Sequence, residues 1–141
     1  MPGGWIVIDH YTYGLSYFTK TFPLFRFFFR RMDPVKSMKC TEGLVNSLWP
    51  LHRAVRNFPL GRLLLTRVSP VLDYHRAYPQ MNEGQQKEWA LLDTHDLLTD
   101  WYKHLRTRRQ VLHAMQRLGL VNVWCEYGGN GVEARGQRPL A

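Results

Sequence analysis

The last third of the chain, Thr107 to Pro139, changes its hydrophobic period once and sharply. Val111, Leu112, Met115 and Leu118 recur at helical spacing. Thr107 and Gln110 stand where a capping box opens a helix, and Gly119 stands where a left-handed residue closes one. From Val121 the period becomes two, with Val121, Val123, Cys125 and Tyr127 on one face and Asn122, Trp124 and Glu126 on the other. Gly128, Gly129, Asn130 and Gly131 then offer the positive φ angles of a tight reversal, and Val132 to Arg135 resume the alternation. The pattern predicts a helix, a strand, a reversal and a final strand. Matching the apolar faces sets Tyr127 against Val132 and Cys125 against Ala134. It therefore sets Glu126 against Glu133, a like-charge pair for which Arg135 or Arg117 is the candidate cation.

At the other end, Trp5, Ile6, Val7 and Ile8 form a continuous apolar run, the pattern of a strand covered on both faces and so of a central, parallel strand. Such a strand needs hydrogen-bonding neighbours on each side, so half of its sheet is expected outside this chain. Asp9, His10, Tyr11 and Tyr13 follow it. In open α/β sheets ligands bind beyond the carboxyl ends of the strands, which makes this the best-placed polar cluster. His10, as a general base near neutral pH, and Tyr11, orienting an acceptor group, are the candidate catalytic residues. An ordinary polar loop is the alternative.

Between them, Tyr17 to Pro79 reads as a helical insertion in which Pro23, Pro34, Pro50, Pro59, Pro70 and Pro79 each end a short helix. Thr41 is a candidate cap for a segment burying Leu44, Val45 and Leu48, and Leu60, Leu63, Leu64 and Val68 form a second apolar stripe. Asn82 to Tyr102 reads as one helix, with Trp89, Leu92 and His95 or Asp96 on related faces. Asp93, His95 and Asp96 fall on different faces of that helix, and the histidines show no HxxxH or HExxH spacing, so no metal site is expected.

Size and charge narrow this picture. The 141 residues fit one domain, and 45% hydrophobic residues argue for a packed chain. The net charge of +8 favours anionic partners. The excess sits between Arg26 and Arg67, interleaved with Phe22, Phe25, Phe27, Phe28 and Phe29. That stretch reads either as a membrane-surface or nucleic-acid surface, or as a cap whose rings face a core while its Arg side chains reach water. Cys40 and Cys125, far apart, read as reduced structural thiols. Pro2, Gly3 and Gly4 open the chain without the basic and apolar regions of a signal peptide, and the Phe22–Phe29 run is far short of a membrane span, so a soluble cytoplasmic protein is expected.

The wording GGNGVEARGQRP after a helix and a strand resembles the C-terminal end of the class I S-adenosylmethionine (SAM) dependent methyltransferases, whose last two strands are an antiparallel pair closing an otherwise parallel sheet. Pro2-Gly3-Gly4 matches the turn leading into the fifth strand of that family, and Leu92 to Thr99 is similar to a segment upstream of its final helix. His95 stands where an aromatic ring is commoner, and Asp100 where a Pro often follows. The resemblance implies a mixed α/β fold: a partial Rossmann-like sheet of one parallel strand plus a C-terminal antiparallel hairpin, with a large helical insertion. As one partial domain, residues 1–12 are then the central strand and active-site loop, 13–106 the helical cap, and 107–141 the final helix and hairpin.

It further implies a small-molecule methyl acceptor, with Asp9, Tyr13, His95, Tyr127 and Asn130 as substrate-binding candidates. The family's Gly-rich loop after the first strand, and the acidic residue ending the second, have no counterpart here, because Gly3-Gly4 precedes a strand and Gly128 to Gly131 joins two. SAM belongs to the complete family, and this chain alone is expected to bind none and to be inactive. A companion chain supplying the missing half-sheet is one explanation, a truncated reading frame another. The alternative function is a non-enzymatic basic adaptor that binds anionic lipid or RNA through the Arg-rich insertion.

Overall fold

A computed structural model describes residues 1–129 and 131–140, the side chains of Leu15 and Ser16 excepted. The chain is mixed α/β and forms two compact units, residues 1–15 with 102–141 and residues 16–101.

The first unit holds β1 (Trp5–Tyr11), α6 (Arg108–Arg117), β2 (Val121–Gly128) and β3 (Gly131–Gln137). Helix α6 starts as its sequence dictates. Thr107 accepts from the Gln110 N–H, and the Gln110 side chain accepts from the Thr107 N–H at 2.9 Å. Its end is a Schellman motif, with Gly119 at φ 70°, its N–H on the Gln116 carbonyl, and the Leu120 N–H on the Met115 carbonyl. Val111 and Met115 are buried against Cys125, Val132 and Ala134, with Leu112 and Leu120 at the margin. Leu118 is instead exposed, because the cap turns it away from the sheet.

The hairpin takes the register set by its apolar faces: Tyr127 opposes Val132, Cys125 opposes Ala134 and Glu126 opposes Glu133. Two details differ from the sequence expectation. Neither Arg135 nor Arg117 is the cation for this acidic pair. Arg108, in the first turn of α6, meets Glu126 at 3.2 Å, while the Arg135 guanidinium lies over the Trp124 ring. A bulge also interrupts β2, where Asn122 takes φ 53° and the register shifts between Val121 and Trp124, which moves Val121 off the face it would share with Cys125.

The sheet has three strands in the order β1-β3-β2, and β3 runs antiparallel to both neighbours, so β1 and β2 run in the same direction. Among the described residues β1 is an edge strand bonded antiparallel to β3, and no parallel pair is present among them. Nor is β1 covered on both faces. Trp5, Ile6 and Val7 are exposed, Val7 at 76%. The physical reason is that the neighbour this chain offers is the single reversed strand, and the buried cluster beneath the sheet is built by α6 on one face alone.

The second unit holds α1 (Leu15–Phe18), α2 (Phe22–Phe29), α3 (Pro34–Val55), α4 (Pro59–Val68) and α5 (Glu83–Thr99). Prolines start these helices rather than end them: Pro23, Pro34 and Pro59 lie in first turns, where the missing N–H costs nothing. Pro50 lies inside α3, where it has no N–H to give the carbonyl of Asn46, an exposed residue one turn earlier. Thr41 is no cap. It is fully buried in mid-helix and donates to the Ser37 carbonyl. Val45, Trp49, Val71 and Ala90 form the core, joined by Leu44, Leu48 and Leu91.

Helix α5 begins with a capping box between Asn82 and Gln85 and buries Gln86, Ala90, Thr94 and Leu98, leaving Trp89 and Leu92 exposed. On α4 the expected buried stripe of Leu60, Leu63, Leu64 and Val68 is exposed, and Leu65 faces inward. Among the described residues, no helix is long and apolar enough to cross a membrane.

Candidate functional site

Because β1 and β2 run the same way, their carboxyl ends lie at one end of the sheet, together with the glycine turn and the N-terminus of α6. Three of the sequence candidates, Asp9, His10 and Tyr11, lie within β1 itself rather than in a loop after it. Strand alternation therefore separates them. His10 opposes Val132, which in turn opposes Tyr127, so His10 and Tyr127 flank one buried valine on the α6 side, about 10 Å apart by ordinary strand spacing. Asp9 opposes Glu133 and shares the other face with Glu126 and Tyr11. Tyr13 lies just beyond the strand, and Asn130 falls outside the described residues.

His10 Nδ1 lies 3.0 Å from the Tyr11 carbonyl oxygen. A carbonyl only accepts, so Nδ1 is the donor, and in the neutral ring the lone pair is then on Nε2. The Lys103 ammonium sits over the Tyr11 ring at 4.4 Å, and the Arg106 N–H donates to the Tyr11 carbonyl, so the segment before α6 folds over the end of β1. Sequence reasoning passed over Lys103 and Thr12. The Thr12 hydroxyl is buried with no protein partner, and only its place next to Tyr11 pointed to it.

The glycine turn is closed rather than open: a Cβ on Gly131 would meet the His10 carbonyl oxygen and the Thr12 nitrogen at 2.6 Å, so these glycines let two strands approach. The Glu133 carboxylate covers Gly129, where a Cβ would come within 2.6 Å of Oε1. Among the described residues no group of three His, Cys, Asp or Glu is placed to hold a metal ion. Cys40 and Cys125 are free thiols. Burial pushes the Cys125 thiol up from its ordinary value, which suits a packing role.

His95 belongs to the second unit. The Ser37 Oγ donates to the Pro34 carbonyl at 2.9 Å, which leaves it to accept from His95 Nε2 at 3.2 Å and ties α5 to the start of α3. The same unit contains a buried Ser-His-Asp arrangement that no local spacing announces. Ser69 Oγ lies 2.8 Å from His52 Nε2, and His52 Nδ1 lies 3.8 Å from Asp73 Oδ2. Its connectivity is that of a base-activated nucleophile. The geometry argues for structure instead, since the last distance exceeds a hydrogen bond and Ser69 is 8% exposed and accepts from the Val71 N–H. Burial raises the Asp73 carboxyl, but His52, the His75 N–H and Arg56 outweigh it and hold the pKa at about 2.

Within the same unit, Arg26 neither faces solvent nor a membrane. It is 8% exposed, and its two terminal nitrogens donate to the carbonyls of Leu97 and Asp100 at the C-terminus of α5. A cleft of about 250 Å3 opens beside it, lined by Tyr17, Pro23, Arg26, Phe27, Arg30, Arg31 and Trp101. No protein-family model, no curated protein and no solved structure matches the chain.

Proposed function

We propose that this chain is the C-terminal, acceptor-side part of a SAM-dependent methyltransferase, cytoplasmic and inactive by itself. The observation that carries the reading is β1: an edge strand whose apolar first half leaves Trp5, Ile6 and Val7 exposed. Such a strand is a template for further pairing, and its unpaired edge is where a half-sheet supplied from elsewhere would add. One reversed strand among co-directional neighbours also agrees with an antiparallel pair closing an otherwise parallel sheet. On this reading His10 is the general base, Tyr127 lines the acceptor pocket, and every contact to the methyl donor comes from outside the chain.

The reading is tested by calorimetry with SAM on the chain alone and on a longer polypeptide that includes any Gly-rich strand-loop-helix segment encoded immediately upstream. No heat from the first and saturable heat from the second is expected. Micromolar SAM binding by the chain alone, or a longer polypeptide whose Trp5 fluorescence shows no burial, would sink it. The second reading, a basic adaptor for anionic lipid or RNA, draws on the arginine-lined cleft of the second unit.

A further inference from the structure

The cleft between α2 and the end of α5 brings three guanidinium groups and three aromatic rings together, with no carboxylate in its lining. Each arginine is held in place before any ligand arrives. Arg26 is fixed by the α5 carbonyls, Arg30 lies over the Trp101 ring at 4.2 Å, and Arg31 lies over the Phe27 ring at 3.9 Å and donates to the Phe27 carbonyl. Stacking fixes a guanidinium plane without using its edge nitrogens, so the terminal nitrogens of Arg30 and Nη2 of Arg31 are left to donate. Arg30 and Arg31 are adjacent residues that both line the cleft.

The acidic groups nearby are engaged elsewhere. Asp96 and Asp100 act on Arg26 from the end of α5, and Asp33 accepts from the Val35 and Lys36 N–H groups as the cap of α3. Arg30 Nε is buried and has no acceptor. A buried donor without a partner is costly, and the residue that carries it lines a cleft whose only formal charges are positive. The volume, about 250 Å3, is roughly that of eight waters, enough for a phosphate group and part of the molecule bearing it.

We propose that this cleft binds a phosphate group, Arg30 and Arg31 donating to its oxygens and Phe27 and Trp101 walling the apolar portion of the ligand. The proposal does not depend on the methyltransferase reading. It applies equally to a soluble phosphate ester and to the headgroup of an acidic lipid.

The test titrates the full chain with inorganic pyrophosphate at constant ionic strength, chloride replacing it in the control, following both the unfolding midpoint and calorimetric heat. Vesicles carrying phosphatidic acid, against phosphatidylcholine alone, form the second arm. Saturable stabilisation by pyrophosphate is expected, weakened at least about tenfold by Arg31→Gln and unchanged by Arg76→Gln, an exposed arginine outside the cleft. Pyrophosphate binding without vesicle binding identifies a soluble ester, and vesicle binding lost in Arg31→Gln identifies a headgroup. Arg31 is exposed, so this variant should fold, and Arg30→Lys, which keeps the charge without the fork, should weaken binding in parallel. Stabilisation no greater than with chloride, or equal binding by Arg31→Gln and Arg76→Gln, overturns the proposal.

Discussion

Glu126 faces Glu133 directly across the closing hairpin, and Arg108 reaches from the first turn of α6 to hold Glu126 at 3.2 Å. The same guanidinium group donates to the Cys125 carbonyl, so it pins the helix to the edge strand as well as screening the acidic pair. Both charged side chains are about half exposed, so solvent screening keeps the pair's worth small. Arg108→Gln is expected to lower stability by about 0.5–1 kcal/mol at low salt and by less at high salt. Adding Glu126→Gln should recover part of the loss by removing the like-charge opposition. Urea unfolding of the single and double variants at two salt concentrations measures this, and a double variant weaker than Arg108→Gln would contradict it.

Two glycines in the first unit are required for different reasons, and alanine separates them. At Gly119 a Cβ would meet nothing within 4 Å, so Gly119→Ala costs only the strain of φ 70°, roughly 1 kcal/mol. At Gly131 the added carbon would meet β1 backbone atoms at 2.6 Å, and backbone cannot rotate aside. Gly131→Ala is expected to cost about 1–3 kcal/mol and to raise amide exchange along β1, while Gly119→Ala leaves β1 protection unchanged relative to global stability. Equal exchange profiles would show that β1 does not depend on the close approach.

Arg26 bridges α2 to the carboxyl end of α5 by donating to two carbonyls that the helix leaves without partners. Arg26→Met keeps much of the apolar stem but removes the donors from both part-buried carbonyls, so a loss of about 1–3 kcal/mol is expected. Arg26→Lys should recover less than half, because an ammonium cannot span two acceptors in fork geometry. Thermal unfolding of the two variants distinguishes this from loss of charge alone, in which case lysine would restore most of the stability.

The closing helix and hairpin were legible because their determinants are local. The Thr107–Gln110 box, Gly119 and the matching of Cys125 to Ala134 each act within a few residues. What was not legible depends on partners far along the chain. Helix α5 buries Gln86, Ala90 and Thr94, polar or small residues without an apolar period, because Thr94 accepts from the Leu72 N–H. Helix α3 runs through Pro50, one turn after the exposed Asn46. Arg26 and the carbonyl of Leu97 are 71 residues apart, so no spacing rule connects them. At the candidate site, Asp9, His10 and Tyr11 were read as following the strand, but the strand extends through Tyr11, and alternation then separates His10 from Asp9. That extension follows from pairing with β3, a long-range contact.

Asp73 makes the second unit acid-sensitive in a defined window. Its folded pKa of about 2 lies below the ordinary 3.8, so the folded state holds the proton less tightly than the unfolded chain does. The ionised carboxylate therefore contributes its full stabilisation above about pH 5, and loses it as pH falls from 3.8 through 2. The difference corresponds to about 2 kcal/mol, much of it from contact with His52 and Arg56. Asp73→Asn should lower stability at neutral pH, and it should also leave Arg56, whose Nη2 is already buried without a partner, lacking its anion. Denaturation midpoints of both proteins between pH 2.5 and 7 should then converge toward the acid end. A gap that stays constant across that range would mean that Asp73 acts through packing rather than through its charge.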